Sequence, residues 1–164
     1  MTPRAQKKAT VQEFTKIKST GKKVELRWVT SEKGADHEHH VTSAQHPKPD
    51  FPKALNAFVP FVVELMGLAD TAFDSDLEVT GLSIDTGEDD RRGLIITCRK
   101  KLARTNGPLI FNTPHIREPK DEGGEPPASG VWLEGMAEAL ARAEGEASGF
   151  LAGERAQTEL AFAR

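Results

Sequence analysis

The chain has one cysteine and no tyrosine among its 164 residues, and only 6% of its residues are aromatic. The single cysteine, Cys98, excludes an internal disulfide and any zinc site built from several cysteines. No apolar run approaches the roughly 20 residues that are needed to cross a bilayer. The first ten residues, MTPRAQKKAT, are polar and lack the apolar core of a secretory signal, so we expect a cytoplasmic protein.

Sequence motifs of the common nucleotide-binding and hydrolytic enzymes are also missing. The chain contains no GxxxxGK[ST] loop, no GxGxxG or GxSxG turn and no HExxH motif. His40-Val41-Thr42 matches the His-x-Thr element of two-histidine phosphoesterases, but those enzymes need a second such element, which neither His46 nor His115 begins. We therefore reject that class and expect a protein without catalysis and without a cofactor.

Charge is strongly segregated along the chain. Residues 1–53 carry a net charge of +5 and residues 91–117 carry +7, whereas residues 54–90 carry −9 and residues 118–164 carry −6. The two positive segments contain most of the strand-like sequence, and the two negative segments contain the helix-like sequence. Such asymmetry indicates a polyanionic partner for one face of the protein.

Alternation of apolar and polar residues predicts six strands, which cover residues 11–18, 23–29, 36–43, 77–85, 94–102 and 108–114. In the fourth strand the apolar parity switches at Gly81, which indicates a β-bulge. Asn106-Gly107 predicts a two-residue hairpin between the fifth and sixth strands.

Two helices are expected, one central and one C-terminal. In residues 50–65 apolar side chains recur at helical spacing, with Asp50 placed to cap the first turn and Pro60 placed to kink or break the helix. Residues 131–162 are rich in Ala and Glu and predict a long helix. Within it, Gly145, Gly149 and Gly153 are spaced by four, so they either let a second helix approach closely or break this one.

These elements predict an α+β fold with a mainly antiparallel sheet in the order βββα–βββ–α. The central helix lies on one face of the sheet, and a long C-terminal helix follows. We expect a core domain over residues 1–116, a flexible Pro- and Gly-rich linker over 117–130 and the C-terminal helix within 131–164.

Lys and Arg side chains occupy the outward parity of the first, second and fifth strands. Sheets with one open cationic and aromatic face bind single-stranded nucleic acids in many proteins. The alternative is an ordinary solvated sheet face without a binding role. It is favoured by the absence of tyrosine, the inward parity of Trp28 and the acidic net charge. The candidate nucleic-acid-binding residues are Phe14, Lys16, Lys18, Lys23, Arg27, Arg99 and Lys101.

A cluster of histidines raises the alternative of a metal-dependent enzyme. His37 and His39 share one face of the third strand, a spacing that two metal-ligating imidazoles can use. Further ligands would have to come from Asp36, His46, His115 or Cys98, and the spacing does not choose among them. The acidic residues Asp85, Glu88, Asp89 and Asp90 do not meet the ligand spacing of a hard cation. No metal site is therefore predicted.

Four segments resemble small uncharacterised proteins of bacteriophages and prophages, over about residues 8–118. They are HPKPDFPKALNAFVPFVVEL, VTGLSI, LIITCRKKL and PLIFNTPHI. The resemblance implies a phage protein in the host cytoplasm, where such proteins serve replication and recombination or counter host defences. Single-stranded DNA binding is our leading expectation. The alternative is a protein–protein inhibitor that uses its acidic helices against a host enzyme or defence system.

The C-terminal helix also predicts self-association. An apolar stripe over residues 131–162 has few expected partners inside so small a domain, and the flexible linker frees it to reach another chain. We expect a homodimer or higher oligomer through this helix. In the rival arrangement the helix folds back across the sheet of its own chain.

Overall fold

A computed structural model describes residues 11–20, 22–67, 76–119 and 130–153 of the chain. Within these residues the chain forms seven strands and three helices, an α+β fold with a mainly antiparallel sheet, as predicted. The elements are β1 (Val11–Ser19), β2 (Val24–Glu32), β3 (Ala35–Ser43), α1 (Asp50–Asn56), α2 (Val59–Leu65), β4 (Leu77–Thr86), β5 (Arg92–Lys100), β6 (Leu109–Asn112), β7 (Ile116–Arg117) and α3 (Met136–Leu151).

Two meanders of three strands each meet in the middle of the sheet. The strand order is β3-β2-β1-β4-β5-β6, and every pair in it is antiparallel. The two meanders join through β1 and β4, which pair over three residues only, whereas the hairpin pairs β2–β3 and β4–β5 are each paired over nine. The short β7 pairs with the other end of β5 from β6.

The helices pack on one side of the sheet, which we call the helix face; the opposite side is the open face. α1 packs against α3 and β4, and α3 also contacts β1. Phe51 of α1 and Phe150 of α3 meet edge to face, with ring centroids 5.9 Å apart. Burying these side chains together with the apolar residues of β1, β2, β4 and β5 forms one core, the main favourable term in folding.

A β-bulge in β1 overturns the predicted facing of Phe14. Phe14 pairs with Trp28 and Ile17 pairs with Leu26, so the register shifts by one residue around Thr15. Since side chains alternate along a strand, this shift turns Phe14 to the helix face, where it is only 5% exposed. The sequence shows the same change of apolar parity here as at Gly81. Phe14 and Ile17 are three residues apart, so both cannot face the core in a regular strand.

The bulge predicted in β4 is confirmed. The register shifts between Val79 and Gly81, which leaves Thr80 as the extra residue. As a result Leu77 and Val79 before the bulge and Leu82 after it all face the helices.

Pro60 breaks the central helix, as predicted. α1 ends at Asn56 and α2 begins at Val59, so the proline stands in the first turn of α2, where its missing N–H has no helical partner to lose. The prediction for Asp50 was wrong by one position. Pro49 occupies the N-cap without a side-chain hydrogen bond, and Asp50 is the first helical residue, where its charge still favours the helix dipole.

The predicted two-residue hairpin at Asn106-Gly107 is wrong. Lys100 pairs with Leu109, so residues 101–108 form an eight-residue connection between β5 and β6. The dipeptide lies inside this connection rather than between two paired residues, so it cannot set the register of the hairpin.

The C-terminal helix packs against α1 and β1 of its own chain. α3 begins at Met136 rather than at residue 131 as predicted, spans 16 residues and continues through Gly145 and Gly149. Residues 154–162 of the predicted helix and 120–129 of the predicted linker lie outside the described residues. The apolar stripe of α3 is fully buried at Met136, Leu140 and Ala147. The premise of a free stripe was therefore wrong, and the oligomeric state stays a prediction without that support. No helix in the described residues is long and apolar enough to cross a membrane.

Candidate nucleic-acid interface

The open face is divided into a half in which cations predominate and a half in which carboxylates predominate, although Arg117 lies opposite Gly93 on the second half. Arg27, Lys16 and Ser83 lie in one row across β2, β1 and β4. The register places Lys18 and Arg99 on one side of this row, and Lys23 and Lys101 follow at outward parity one residue beyond the paired ends of β2 and β5; we call this region the basic half. Its cations are Lys16, Lys18, Lys23, Arg27, Arg99 and Lys101.

Carboxylates occupy the other side of that row, the acidic half. Glu13 and Glu38 both lie opposite Val29, and Asp85 lies opposite Gly93 beyond Ser83. Asp36 continues this half along β3. The sequence alone did not predict this division, because it depends on which strands are neighbours and in which register.

An acidic cavity opens where β1 and β4 diverge. It has a volume of about 480 Å³ and is bordered by Glu13 of β1, Asp85 of β4 and Glu144 of α3. Arg92 also borders it, but its guanidinium is held by Glu144 at 3.1 Å. The remaining negative charge repels phosphate, so this cavity limits the candidate interface to the basic half.

Three carboxylates accompany the six cations of the basic half within the described residues: Glu25, Glu78 and Asp76, which borders one cavity with Lys101 and lies 4.0 Å from Nζ of Lys100. Glu78 accepts a hydrogen bond of 3.1 Å from Nε of Arg99 across the β4–β5 pair. Glu25 lies among Lys16, Arg27 and the neighbouring His40. In the part of the chain that the structure describes, Lys18, Lys23 and Lys101 form no ion pair. The basic half thus keeps an excess of positive charge.

Glu25 stands at the centre of the most closely packed charge cluster on this half. Its carboxylate is 3.2 Å from Nζ of Lys16, 3.6 Å from Nη2 of Arg27 and 3.0 Å from Nε2 of His40. Partial burial opposes ionisation of Glu25, but the hydrogen bonds and charges of Lys16 and His40 outweigh it and lower the pKa of the carboxyl. Glu25 is therefore ionised, and it offsets part of the positive charge around it.

Aromatic side chains contribute less to this face than predicted. Phe14 lies on the helix face, and Trp28 also lies there, as its parity predicted. The Trp28 ring stacks on the imidazole of His39, with centroids 5.0 Å apart and planes 14° apart. Among the described strand residues, the basic half presents no aromatic ring, so its contacts with a nucleic acid would be made to phosphates.

The predicted metal candidates do not converge. His37 and His39 do share one face, since they lie opposite Thr30 and Trp28, but Nε2 of His39 is hydrogen-bonded to the Thr30 hydroxyl at 2.9 Å. Cys98 is buried in the core on the helix face. The described residues contain no group of three His, Cys, Asp or Glu side chains that could hold a metal ion.

His115 lies between β6 and β7 and contacts β4 and β5 at the acidic end of the open face. Its Nε2 lies 3.0 Å from the Asp85 carboxylate, and its ring lies directly over the Cα of Gly93, where a Cβ would overlap with it. Glycine at this position therefore lets the segment between β6 and β7 lie against β5. An acid in the loop between β4 and β5 is paired as well. The Asp89 carboxylate accepts a hydrogen bond of 2.7 Å from Nε of Arg91, and this lowers the pKa of the Asp89 carboxyl.

Comparison with known proteins identifies no relative. No protein-family model matches the chain, and no curated protein and no solved structure matches it significantly. The resemblance to phage proteins therefore stays a prediction, and the function has to be inferred from the site itself.

Proposed function

We propose that this protein binds single-stranded DNA without catalysis, through the basic half of the open face. The observation that carries the proposal is the clustering of six cations on one half of a helix-free sheet face with only three carboxylates, Glu25, Glu78 and Asp76, among them. The cations are Lys16, Lys18, Lys23, Arg27, Arg99 and Lys101. Phosphate neutralisation by Lys and Arg supplies most of the non-specific affinity of such proteins.

The shape of the surface favours a single strand over a duplex. The grooves of a DNA duplex admit a helix or a two-stranded ribbon, whereas this surface is a broad sheet. Six strands at a spacing of about 4.8 Å give a face roughly 24 Å wide, across which a flexible single strand can lie. Because no aromatic ring of the described strands lies there, we expect weak dependence on base identity and strong dependence on salt.

Fluorescence anisotropy with a labelled oligothymidylate of roughly 16 nucleotides tests the proposal. We expect affinity to fall steeply between about 50 and 200 mM salt, with a slope of log K against log salt near −0.7 for each phosphate contact. The variant Lys18→Ala/Lys101→Ala removes two cations that have no ion pair in the described chain, so its slope should be shallower by up to about 1.4.

A matched variant separates local contacts from net charge. Lys53 of α1 and Arg142 of α3 are exposed on the helix layer, away from the open face. The variant Lys53→Ala/Arg142→Ala changes the net charge equally and should leave the salt slope unchanged. Equal losses in both variants, or no binding at low salt, would reject the proposal and favour the inhibitor alternative. Tighter binding of duplex than of single strand would reject the preference for a single strand.

A further inference from the structure

We propose that Lys16, Arg27 and His40 form a phosphate-binding site that Glu25 occupies in the free protein, and that a nucleic-acid phosphate binds there by displacing the Glu25 carboxylate. This inference rests on the proposed function and adds to it a defined site and a residue that regulates it.

The site is built by the register of three neighbouring strands. Lys16 lies opposite Arg27, and Arg27 lies opposite His40, so three cationic or protonatable groups stand in one row of the open face. Glu25 is two residues from Arg27 on the same strand, and therefore on the same face. From there its side chain reaches back into the row and contacts all three groups.

The three groups meet the carboxylate from different strands and through separate atoms. Lys16 approaches Oε1, while Arg27 and His40 approach Oε2. A phosphodiester resembles this carboxylate chemically, because each carries one negative charge shared by two outer oxygens. An ammonium, a guanidinium and an imidazole are also common ligands of phosphate in proteins. The occupied site therefore has the donors that a phosphate needs.

The exposure of the cationic side chains allows a phosphate to replace the Glu25 carboxylate. The side chain of Arg27 is 52% exposed and that of His40 is 47% exposed, whereas Glu25 beneath them is only 20% exposed. An incoming phosphate thus meets the cations before it meets the acid. Ion pairs of exposed groups contribute little to stability, so the carboxylate can be displaced without unfolding of β1, β2 and β3.

The variant Glu25→Gln removes the internal charge while keeping nearly the same shape. We expect it to bind the oligothymidylate roughly two- to fivefold tighter than the wild type, the factor that corresponds to relief of one exposed ion pair. Its salt slope should stay close to that of the wild type, because the same phosphate contacts form in both proteins.

The control variant is Glu64→Gln, which changes the net charge equally at an exposed position of α2, away from the open face. Tightening by Glu25→Gln alone supports the site. Equal tightening by both variants means a net-charge effect and overturns the inference. Weaker binding by Glu25→Gln also overturns it, because Glu25 would then hold the cations in place for DNA.

The experiment distinguishes failure of this inference from failure of the proposed function. If the wild type binds DNA and Glu25→Gln does not tighten binding, only this inference fails; if neither protein binds, both fail.

The NMR resonances of the His40 imidazole provide a test in the unaltered protein. They should shift on saturation with the oligothymidylate as phosphate replaces the carboxylate, and unchanged resonances at saturation would overturn the inference.

Discussion

Replacing Gly93 with alanine tests how the β6–β7 segment is held against the sheet. The φ of Gly93 is not in the left-handed region, so the strand backbone accepts alanine, and relief of glycine entropy alone would stabilise the protein by about 0.5–1 kcal/mol. The new Cβ would however overlap with Nε2 of His115 and lie 2.5 Å from Oδ1 of Asp85. The imidazole must therefore leave, and its 3.0 Å contact with Asp85 is lost.

The size of the effect follows from these two terms. His115 and Asp85 are 33% and 58% exposed, so their ion pair is worth up to about 1 kcal/mol, and displacing the packed ring adds a comparable loss. Against the gain from alanine, we expect Gly93→Ala to lower the free energy of unfolding by about 1 kcal/mol. In a chain of this length that corresponds to a melting temperature lower by roughly 2–4 °C.

A double-mutant cycle measured by urea unfolding assigns the cause. In the His115→Ala background the imidazole is gone and the exposed Asp85 carboxylate can rotate away from the new Cβ, so Gly93→Ala should become neutral or stabilising by about 0.5 kcal/mol. Gly145→Ala in α3 is the control, since its Cβ meets no atom within 4 Å and alanine should stabilise the helix by up to about 1 kcal/mol. A loss that persists in the His115→Ala background would refute the reasoning, as would a stabilising Gly93→Ala in the wild type.

Three further predictions concern other parts of the molecule. Burial raises the pKa of the Cys98 thiol to about 12, so the native protein should resist a disulfide reagent at pH 8 and react only in denaturant; rapid native reaction would contradict this. Asn56→Ala leaves the Val79 N–H, now bonded to Asn56 Oδ1 at 2.9 Å, without that acceptor and should lower the unfolding free energy by about 1–2 kcal/mol in urea; no change would contradict it. Because the folded pKa of Glu25 lies below its ordinary 4.5, its contribution to stability is complete above pH 4.5 and is lost as pH falls through the folded value. Glu25→Gln should therefore flatten the acid limb of the stability curve, and an unchanged limb would exclude this role.

Local sequence patterns correctly predicted the structural features whose physical cause lies in neighbouring residues. Strand existence follows from alternation of side chains, which is a property of successive residues, and all six predicted strands are present within a few residues of their expected ends. The break at Pro60 follows from a missing N–H and a clash within one turn. The bulge near Gly81 follows from a change of parity, and the same reading of Phe14 and Ile17 would have predicted the bulge in β1.

The composition also indicated where positive charge would lie, but not its arrangement. Six Lys and Arg residues were assigned to outward positions from parity alone, and the register is consistent with the four that lie in paired strands, Lys16, Lys18, Arg27 and Arg99. Their clustering on one half of the face depends on β1 lying between β2 and β4. The convergence of Lys16 and His40 on Glu25 joins residues up to 24 positions apart, and no spacing in the sequence signals it.

The sequence by itself determined six of the seven strands, the helical segments, the fold class and the sign of charge on the strands, because each of these depends on neighbours along the chain. Only the tertiary structure decided the strand order, the separation of the open face into basic and acidic halves and the burial of the α3 stripe against its own core. These features depend on which faces meet, and the free energy that selects them is gained when distant apolar surfaces are buried together.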